Sequence, residues 1–332
     1  MKKKILVTGG AGYIGSKISY DLIDAGYEVI IVDNLSTGSK ELIHPKSIFF
    51  KNDLLELDVL KKKLSIYKNN IYAVLHFAAS LSVEESNTKP LKYYQNNIIC
   101  SENILNLIGY LKIKKMIFSS SCSIFGNPKK IRVSEQSLKI PFSNYGRTKF
   151  FAEKLICEYS KLYNFNYAIL RYFNVVGADY KNRVGQIYGN TLFKTLSKNI
   201  VNGKLKINVY GKDYNTKDGT CLRDYIDIND LSEIHLLLIR KLKRNKFLEL
   251  NCGYNKAYSV KEVINYFSKI IKKKIKIIFK ERRKGDSQAI YCNNSKLKII
   301  LPKWKRKYNI HNSINSSLLW EKYIKKNYKK LF

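Results

Sequence analysis

Apolar positions along this chain gather into short unbroken runs, separated by segments whose apolar residues recur at helical spacing. Residues 3–8 (KKILVT), 28–33 (EVIIVD), 47–53 (SIFFKND), 73–79 (AVLHFAA), 115–121 (KMIFSSS) and 167–173 (YAILRYF) supply the runs. Unbroken rather than alternating hydrophobicity is what a strand needs when both faces are buried, as in a parallel sheet covered by helices. Between the runs, Ile14, Ile18 and Leu22 mark a helix that Gly26 closes, and 91–111 and 145–163 read as further helices. After about residue 176 the pattern loosens. A polar, glycine-containing segment (177–190) precedes a helix near 191–202, and 212–225 (KDYNTKDGTCLRDY) reads as a loop. Ser259 and Glu262 have the spacing of a capping box ahead of an apolar helical run. With no internal repeat, low-complexity block or linker, the expectation is an α/β protein. A doubly wound parallel sheet spans 1–176, and a smaller α/β part spans 177–332, packed tightly on the first with some segments returning to its sheet.

Composition narrows the class. The 332 residues suffice for a large core, and 45% apolar content with a mean hydropathy of −0.29 describes a globular protein. No apolar run approaches the ~20 residues of a membrane span. The run after MKKK stops at Thr8, too soon for a signal peptide. Six scattered cysteines without a C-x-x-C pair fit reduced thiols in a cytoplasm, with neither disulfides nor a metal site expected. The net charge of +35 is extreme, and lysines that neutralise phosphates would make it a nucleic-acid signal. Here, however, lysine is spread along the whole chain beside Asn, Ile, Tyr and Phe, the residues an A+T-rich coding sequence over-produces. No nucleic-acid partner is expected.

The candidate chemistry begins directly after the first strand, in TGGAGYIGS (8–16). A glycine triplet is weak evidence alone. Strand, glycine turn and helix in that order, however, are the context a dinucleotide fingerprint requires. Gly9 permits the tight turn, Gly12 lets a pyrophosphate approach the backbone, and Gly15 lets helix pack on strand, in the manner of a Rossmann-type fold. Asp33 closes the second strand 18 residues beyond Gly15, where its carboxylate can accept bonds from an adenosine ribose and repel a 2′-phosphate. The expected cofactor is NAD.

Farther on, Tyr145 and Lys149 in SNYGRTK are four apart and share one helix face, and Ser121 ends a strand at the sheet's carboxyl edge. A neighbouring ammonium and a cationic nicotinamide both favour phenolate, so the Tyr145 phenol is expected below its ordinary ~10. Tyr145 then serves as proton acceptor, Lys149 as its electrostatic support and Ser121 as the hydrogen-bond partner of the reacting hydroxyl.

TGGAGYIGS, DNLSTGS, HFAA, KPLKYYQNN, FSSS, YGRTK, LRYFNVVGA, DGTCLRDY and ERRKGD occur in the order seen in extended short-chain dehydrogenases, from about residue 3 to past 300. The set most closely resembles the UDP-glucose (UDP-galactose) 4-epimerases. The resemblance implies that Tyr13 and Ile14 lie at the pyrophosphate, with Asp33, Asn34, Leu35, Ser36, Thr37 and Gly38 around the adenosine. It puts Asp53 and Leu54 beside the adenine and Phe77, Ala78 and Ala79 in the dinucleotide groove. Leu81, Asn96, Tyr145, Lys149 and Phe173 fall on the nicotinamide side. For the nucleotide sugar it implies Asn174 and Arg223 and Arg283 at the diphosphate. Asp286 would stand at a ribose hydroxyl, Tyr210 near the uridine, and Thr191 and Leu192 against the nucleotide. It further implies C4 epimerisation of a UDP-hexose and a homodimer formed through helices 91–111 and 145–163.

Some residues depart from the family's pattern. Leu81 stands where some members have lysine, Glu84 where many have glycine, Phe125 for a frequent tyrosine, and Asp227 for a histidine common after RDYI. Dehydratases and decarboxylases of the superfamily carry an acid beside the serine or threonine, whereas Ser121-Cys122-Ser123 has none. Four residues beyond Asp286 stands Ile290, in a place near the hexose where the family's tyrosine goes with exclusion of N-acetyl sugars. UDP-N-acetylglucosamine therefore stays open as a substrate. A non-catalytic NAD-binding or nucleic-acid-binding protein on the same fold is the remaining alternative, and the intact trio argues against it.

Overall fold

The computed structural model describes residues 2–242, 246–283 and 285–328; residues 243–245, 284 and 329–332 of the expected C-terminal part lie outside the described residues. Strands β1 (Lys4–Thr8), β2 (Glu28–Asp33), β3 (Ile48–Lys51), β4 (Ile71–His76) and β5 (Lys115–Ser121) come first. Strands β6 (Arg132–Val133), β7 (Asn166–Tyr172), β8 (Asn174–Val176), β9 (Lys206–Tyr210) and β10 (Leu222–Asp227) follow. Strands β11 (Phe247–Cys252), β12 (Ala257–Ser259), β13 (Lys276–Lys280) and β14 (Ala289–Cys292) complete the set. The helices are α1 (Tyr13–Asp24), α2 (Leu57–Leu64), α3 (Val83–Thr88), α4 (Pro90–Tyr94), α5 (Cys100–Leu111) and α6 (Asn144–Tyr163). After them come α7 (Leu192–Val201), α8 (Ile228–Lys241), α9 (Val260–Ile271), α10 (Ser295–Ile300) and α11 (Ile310–Asn327).

Among the described residues, seven strands form one sheet in the order β11-β7-β5-β4-β1-β2-β3, every pair parallel. The unbroken apolar runs have a simple cause. In β1, Ile5 and Val7 point into a core shared with Ile18 and Leu22 of α1 and Leu231 and Leu238 of α8. Leu6 between them points the other way, into a core with Leu105 and Ile108 of α5 and Ile156 of α6. Each such side chain contributes about 1.5–3 kcal/mol relative to exposure, so apolar residues are favoured on both faces. The sheet is doubly wound, as the sequence leads one to expect. Strand β11 and helix α8, from beyond residue 176, belong to this layer.

The chain leaves β1 toward β2 and β3, then returns to lay β4 on the other side of β1. The carboxyl ends of β1 and β4 therefore flank a topological switch point, where open α/β sheets bind ligands.

Local differences from the sequence reading have physical reasons. The run 73–79 stops being strand at His76. The helix over 91–111 is broken by one π turn, Gln95–Ile99, with Asn97 buried inside it. Most notably, 212–225 is loop only as far as Cys221, because Leu222–Asp227 is a strand paired with β8, β12 and β14. Its charges hid it: Asp224 is fully buried and accepts the backbone N–H groups of Tyr254 (2.8 Å), Asn255 (2.9 Å) and Cys292 (3.1 Å). The capping box at Ser259 forms in both directions, with Ser259 N donating to Glu262 Oε2 (2.7 Å) and Glu262 N to Ser259 Oγ (2.9 Å).

Asp227 caps α8. Its carboxylate accepts Asn229 N (2.9 Å), Asn229 Nδ2 (2.7 Å) and Ser313 Oγ (2.6 Å) with no exposure to solvent. Burial pushes its carboxyl up to about 6, the hydrogen bonds from Ser313 and Asn229 opposing. A carboxyl whose folded pKa is raised holds its proton more tightly folded than unfolded. Stability is then greatest below the unfolded value of ~3.9 and is lost as pH rises through the folded one. Asp224, also pushed up to about 6 chiefly by burial, acts in the same sense. Asp227→Asn is expected to flatten the fall in urea midpoint between pH ~4 and pH ~7, removing up to about 3 kcal/mol of pH dependence. Parallel curves for the two proteins would refute this.

Candidate active site

The glycine turn sits at the switch point. Gly9 has φ +72°, and a Cβ there would stand 2.5 Å from the Ala78 backbone nitrogen, so the exits of β1 and β4 touch backbone to backbone. A Cβ on Gly15 would collide with the Gly9 carbonyl oxygen, which is how α1 packs on the turn. Gly12 differs: it is the N-cap of α1, provides no side-chain cap, and a Cβ on it would meet only Gly9 O at 3.3 Å. The first turn of α1 thus keeps its backbone N–H groups for an anion approaching over Gly12.

Asp33 is 9% exposed, and its two oxygens accept Ala11 N (3.0 Å) and Leu35 N (2.8 Å). Burial raises its pKa, with both backbone bonds opposing. Asn34 Nδ2 donates to Asp53 Oδ2 (2.8 Å), Ser36 N to Asn34 Oδ1 (2.9 Å), and Gly38 lies against Ala11. Residues 33–38 and 53 therefore make one wall, with Ser36 and Thr37 exposed. Leu54 is buried behind it, its carbonyl accepting Asn103 Nδ2 (2.9 Å). Phe77, Ala78 and Ala79 follow β4, with Phe77 N bonded to Thr8 O (3.0 Å). Asn96 Nδ2 donates to Ser80 Oγ (3.1 Å), whereas Leu81 is 63% exposed and its side chain has no polar group. Ile14 packs on the first core. Tyr13 donates its hydroxyl to Gly177 O (2.6 Å), so its phenol ties α1 to the C-terminal part. An uncapped helix start, a glycine open on one side and a carboxylate closing β2 together fit a dinucleotide.

The exit of β5 meets the start of α6, where Ser143 caps the helix through Gly146 N (3.1 Å). Ser121 Oγ accepts Ser123 N (3.1 Å) and lies beside the Tyr145 phenol. Tyr145 is 8% exposed; burial pushes its phenol up to about 12, with Ser121 opposing. Lys149 is 2% exposed, donates from Nζ to Ser119 O (2.8 Å) and lies 4.9 Å from the Phe118 ring centroid. Burial lowers its ammonium to about 7, with the Glu153 carboxylate opposing. The structure thus brings Ser121, Tyr145 and Lys149 together but does not show the lowered phenol expected from sequence. Burial acts on both groups, and Lys149 is directed at a carbonyl.

A second set gathers around β10 and β14. Arg223 pairs in register with Ile290 and places Nη2 3.9 Å from Asp286 Oδ1. The Arg283 guanidinium stacks 3.9 Å over the Tyr210 ring, and its buried Nε has no partner, an orphan donor suited to an anion. Ile290 is 4% exposed in an apolar cluster with Ile124, Phe125, Phe173 and Cys292. Asn174 is exposed on β8, in register with Tyr225. Thr191 caps α7 through Lys194 N (3.4 Å) and donates to Gln186 Oε1 (2.8 Å), while Leu192 packs on the core beneath α7, α9 and α11. Glu84 is exposed in the first turn of α3, whose Val83 and Asn87 stand beside Gly285.

Three buried side chains escaped the sequence reading. Asn97 accepts Ser80 N (2.7 Å) and donates to Ser80 O (3.1 Å) and Thr148 Oγ1 (3.0 Å), fixing the loop after β4 to α6. Glu153 and Arg171 form an ion pair at 2.7 Å beneath the trio. A polar residue on an otherwise apolar face was the available signal for each. Among the described residues no group of His, Cys, Asp and Glu could hold a metal, and no helix is long and apolar enough to cross a membrane.

The family model of the NAD dependent epimerase/dehydratase family matches residues 5–253. The chain is 35% identical over 329 residues to a UDP-glucose 4-epimerase of Lactobacillus helveticus, covering 98% of this chain and 99% of that protein. It superposes with TM-score 0.90 at 33% identity on the UDP-glucose 4-epimerase of Bifidobacterium longum solved with NAD+ and UDP, covering 98% and 99%. With the UDP-Glc/GlcNAc 4-epimerase of Campylobacter jejuni the TM-score is 0.81 at 36% identity, covering 97% and 99%.

Proposed function

The chain belongs to the NAD dependent epimerase/dehydratase family, and from that premise we propose that it is an NAD-dependent isomerase that inverts C4 of a UDP-hexose, interconverting UDP-glucose and UDP-galactose. The observation that carries the reading is the exit of β5: Ser121, Cys122 and Ser123 lie beside Tyr145 and Lys149 with no acid in that run. These groups can move one proton at one hydroxyl and lack an acid for dehydration or decarboxylation. We assign cofactor binding to residues 1–176 and nucleotide-sugar binding mainly to the remainder.

Gly12 and Asp33 would hold NAD, which when bound would supply a reversible hydride acceptor. Arg223 and Arg283 hold the diphosphate with their guanidinium forks, Asp286 takes a ribose hydroxyl and Tyr210 lies against the uracil. Ser121 holds the C4 hydroxyl and Tyr145 receives its proton. The 4-keto sugar would then turn about its phosphate linkage, so that the hydride would return to the opposite face of C4 while Tyr145 returns the proton to the C4 oxygen. Exposed Leu91, Ile99, Phe151 and Leu162 on the segment 90–111 and on α6 support pairing of two copies, which the mass in solution decides. Unpaired cysteines suit a reducing compartment such as a cytoplasm.

A second reading rests on Ile290. Packed against Phe173 and Phe125, it has no phenol to project toward C2 of the sugar, so N-acetylated UDP-sugars are expected as slower substrates. Apolar walls discriminate by about 1–3 kcal/mol per methylene-scale change. Incubation with UDP-glucose and UDP-N-acetylglucosamine in parallel should yield both C4 epimers. Ile290→Tyr should then lower kcat/KM for the N-acetyl pair by ~10–100-fold more than for the glucose pair. No C4 epimer from either sugar rejects the proposed function. Equal losses in Ile290→Tyr reject Ile290 as the gate.

A further inference from the structure

Two consecutive residues at the end of β5 hold α6 by two different bonds. The carbonyl of Ser119 accepts Lys149 Nζ and the hydroxyl of Ser120 donates to Glu153 Oε1 (2.6 Å), while Ser121, next in the strand, lies beside the Tyr145 phenol. Tyr145, Lys149 and Glu153 are each four apart and share one buried face of the helix. Arg171, on the neighbouring strand β7, then clamps Glu153 with two forks: Nε to Oε1 (3.0 Å) and Nη2 to Oε2 (2.7 Å). Arg171 has no exposure and also pairs with Glu249 of β11. One guanidinium between two carboxylates leaves a net charge of −1 in the cluster. Lys149, one turn away and 2% exposed, carries no direct ion pair of its own among the described residues.

We propose that Glu153, fixed by Ser120 and Arg171, is a positioning residue for the reaction: its cluster supplies the buried countercharge that keeps Lys149 an ammonium beside Tyr145. This rests on the roles proposed above for Tyr145 and Lys149. Charges buried without partners are neutralised instead, and the other groups facing Lys149 offer no negative charge. These are the Phe118 ring, the Tyr145 phenol and His76 of β4, which burial and then Lys149 push down to about 3, so it is neutral. Around the carboxylates, Arg171 of β7 and Lys139 ahead of α6 are the facing cations, with Lys154, Cys157 and Tyr167 alongside. Glu153 is therefore the carboxylate that stands one turn from Lys149 on the same buried helix face, and burial lowering Lys149 to about 7 with Glu153 opposing agrees.

The test reads Lys149 directly. In the purified NAD-loaded protein carrying 13C-labelled lysine, one Cε resonance should titrate near neutrality and vanish in Lys149→Ala, whereas ordinary lysines titrate near ~10.4. Glu153→Gln keeps an acceptor for Ser120 while removing the charge. It should move that midpoint down by about one pH unit and draw in the alkaline limb of the turnover profile equally. A merely structural role would lower turnover by one factor at every pH. Because Glu153→Gln leaves Arg171 with half its partners, Glu249→Gln on the half-exposed side of the cluster is the second variant. It should shift the midpoint in the same direction by less. An unmoved midpoint in both variants overturns the proposal, whatever their activity. If instead Tyr145→Phe turns over normally, the catalytic reading fails while the titration result still stands on its own.

Discussion

Tyr145→Phe is expected to lose at least ~100-fold in turnover on UDP-glucose while folding and retaining NAD as the parent does. The substitution removes one oxygen from a side chain that is 8% exposed and lies beside Ser121. Among the described residues no structural element is tied down through that hydroxyl, so thermal midpoint and bound cofactor should stay. What disappears is the group proposed to receive the C4 proton. Burial pushes the phenol up to about 12, so it is protonated at neutral pH. The reaction must therefore bring positive charge beside it to make it a base. Lys149 is the chain's own contribution, and Lys149→Ala should lower turnover too and move its pH dependence upward. Near-parental epimerisation by Tyr145→Phe, measured by the UDP-galactose formed, would remove the proposed base.

The parallel sheet was legible because burial on both faces favours unbroken apolar runs, as Ile5, Leu6 and Val7 show by facing alternate cores. The glycine turn was legible because backbone contact admits no side chain at Gly9 and Gly15. Strand β10 was not, since LRDYID carries three charged residues in six. What makes it a strand is Asp224 gathering N–H groups from Tyr254, Asn255 and Cys292, all remote in sequence. Periodicity cannot register a buried carboxylate that satisfies backbone N–H groups of a distant loop and strand. The trio's residues were legible from spacing, but their electrostatics were not. Whether Lys149 points at Tyr145 or at Ser119 O is a rotamer choice fixed by Phe118, Glu153 and Arg171, which come from three elements. Asp227 illustrates the same limit. In the sequence it is only a departure from histidine, whereas in the fold it is a helix cap bonded to Ser313.

The three glycines of the turn should fail in two distinguishable ways. At Gly9 the backbone is left-handed (φ +72°), which costs a residue with a Cβ about 1–2 kcal/mol. The added carbon would also stand 2.5 Å from Ala78 N and 2.8 Å from Ala78 Cα, backbone atoms of β4's exit that cannot rotate away. Overpacking of that kind adds about 1–3 kcal/mol, so Gly9→Ala should lose ~2–5 kcal/mol in urea unfolding. Gly15→Ala, which drives its Cβ into the Gly9 carbonyl, should behave alike. Gly12 has φ −84° and ψ 174°, ordinary for any residue, and its Cβ would meet only Gly9 O at 3.3 Å. Gly12→Ala should therefore fold within about 1 kcal/mol of the parent yet place a methyl group where a pyrophosphate reaches the uncapped start of α1. Each hydrogen bond lost to that anion is worth about 1.5–3 kcal/mol, so NAD affinity should fall at least ~10-fold. Urea midpoints and the NAD carried through purification separate the two failures. A Gly12→Ala protein that keeps full NAD affinity would move the pyrophosphate away from this helix. A Gly9→Ala protein as stable as the parent would mean that β1 and β4 do not meet at Ala78.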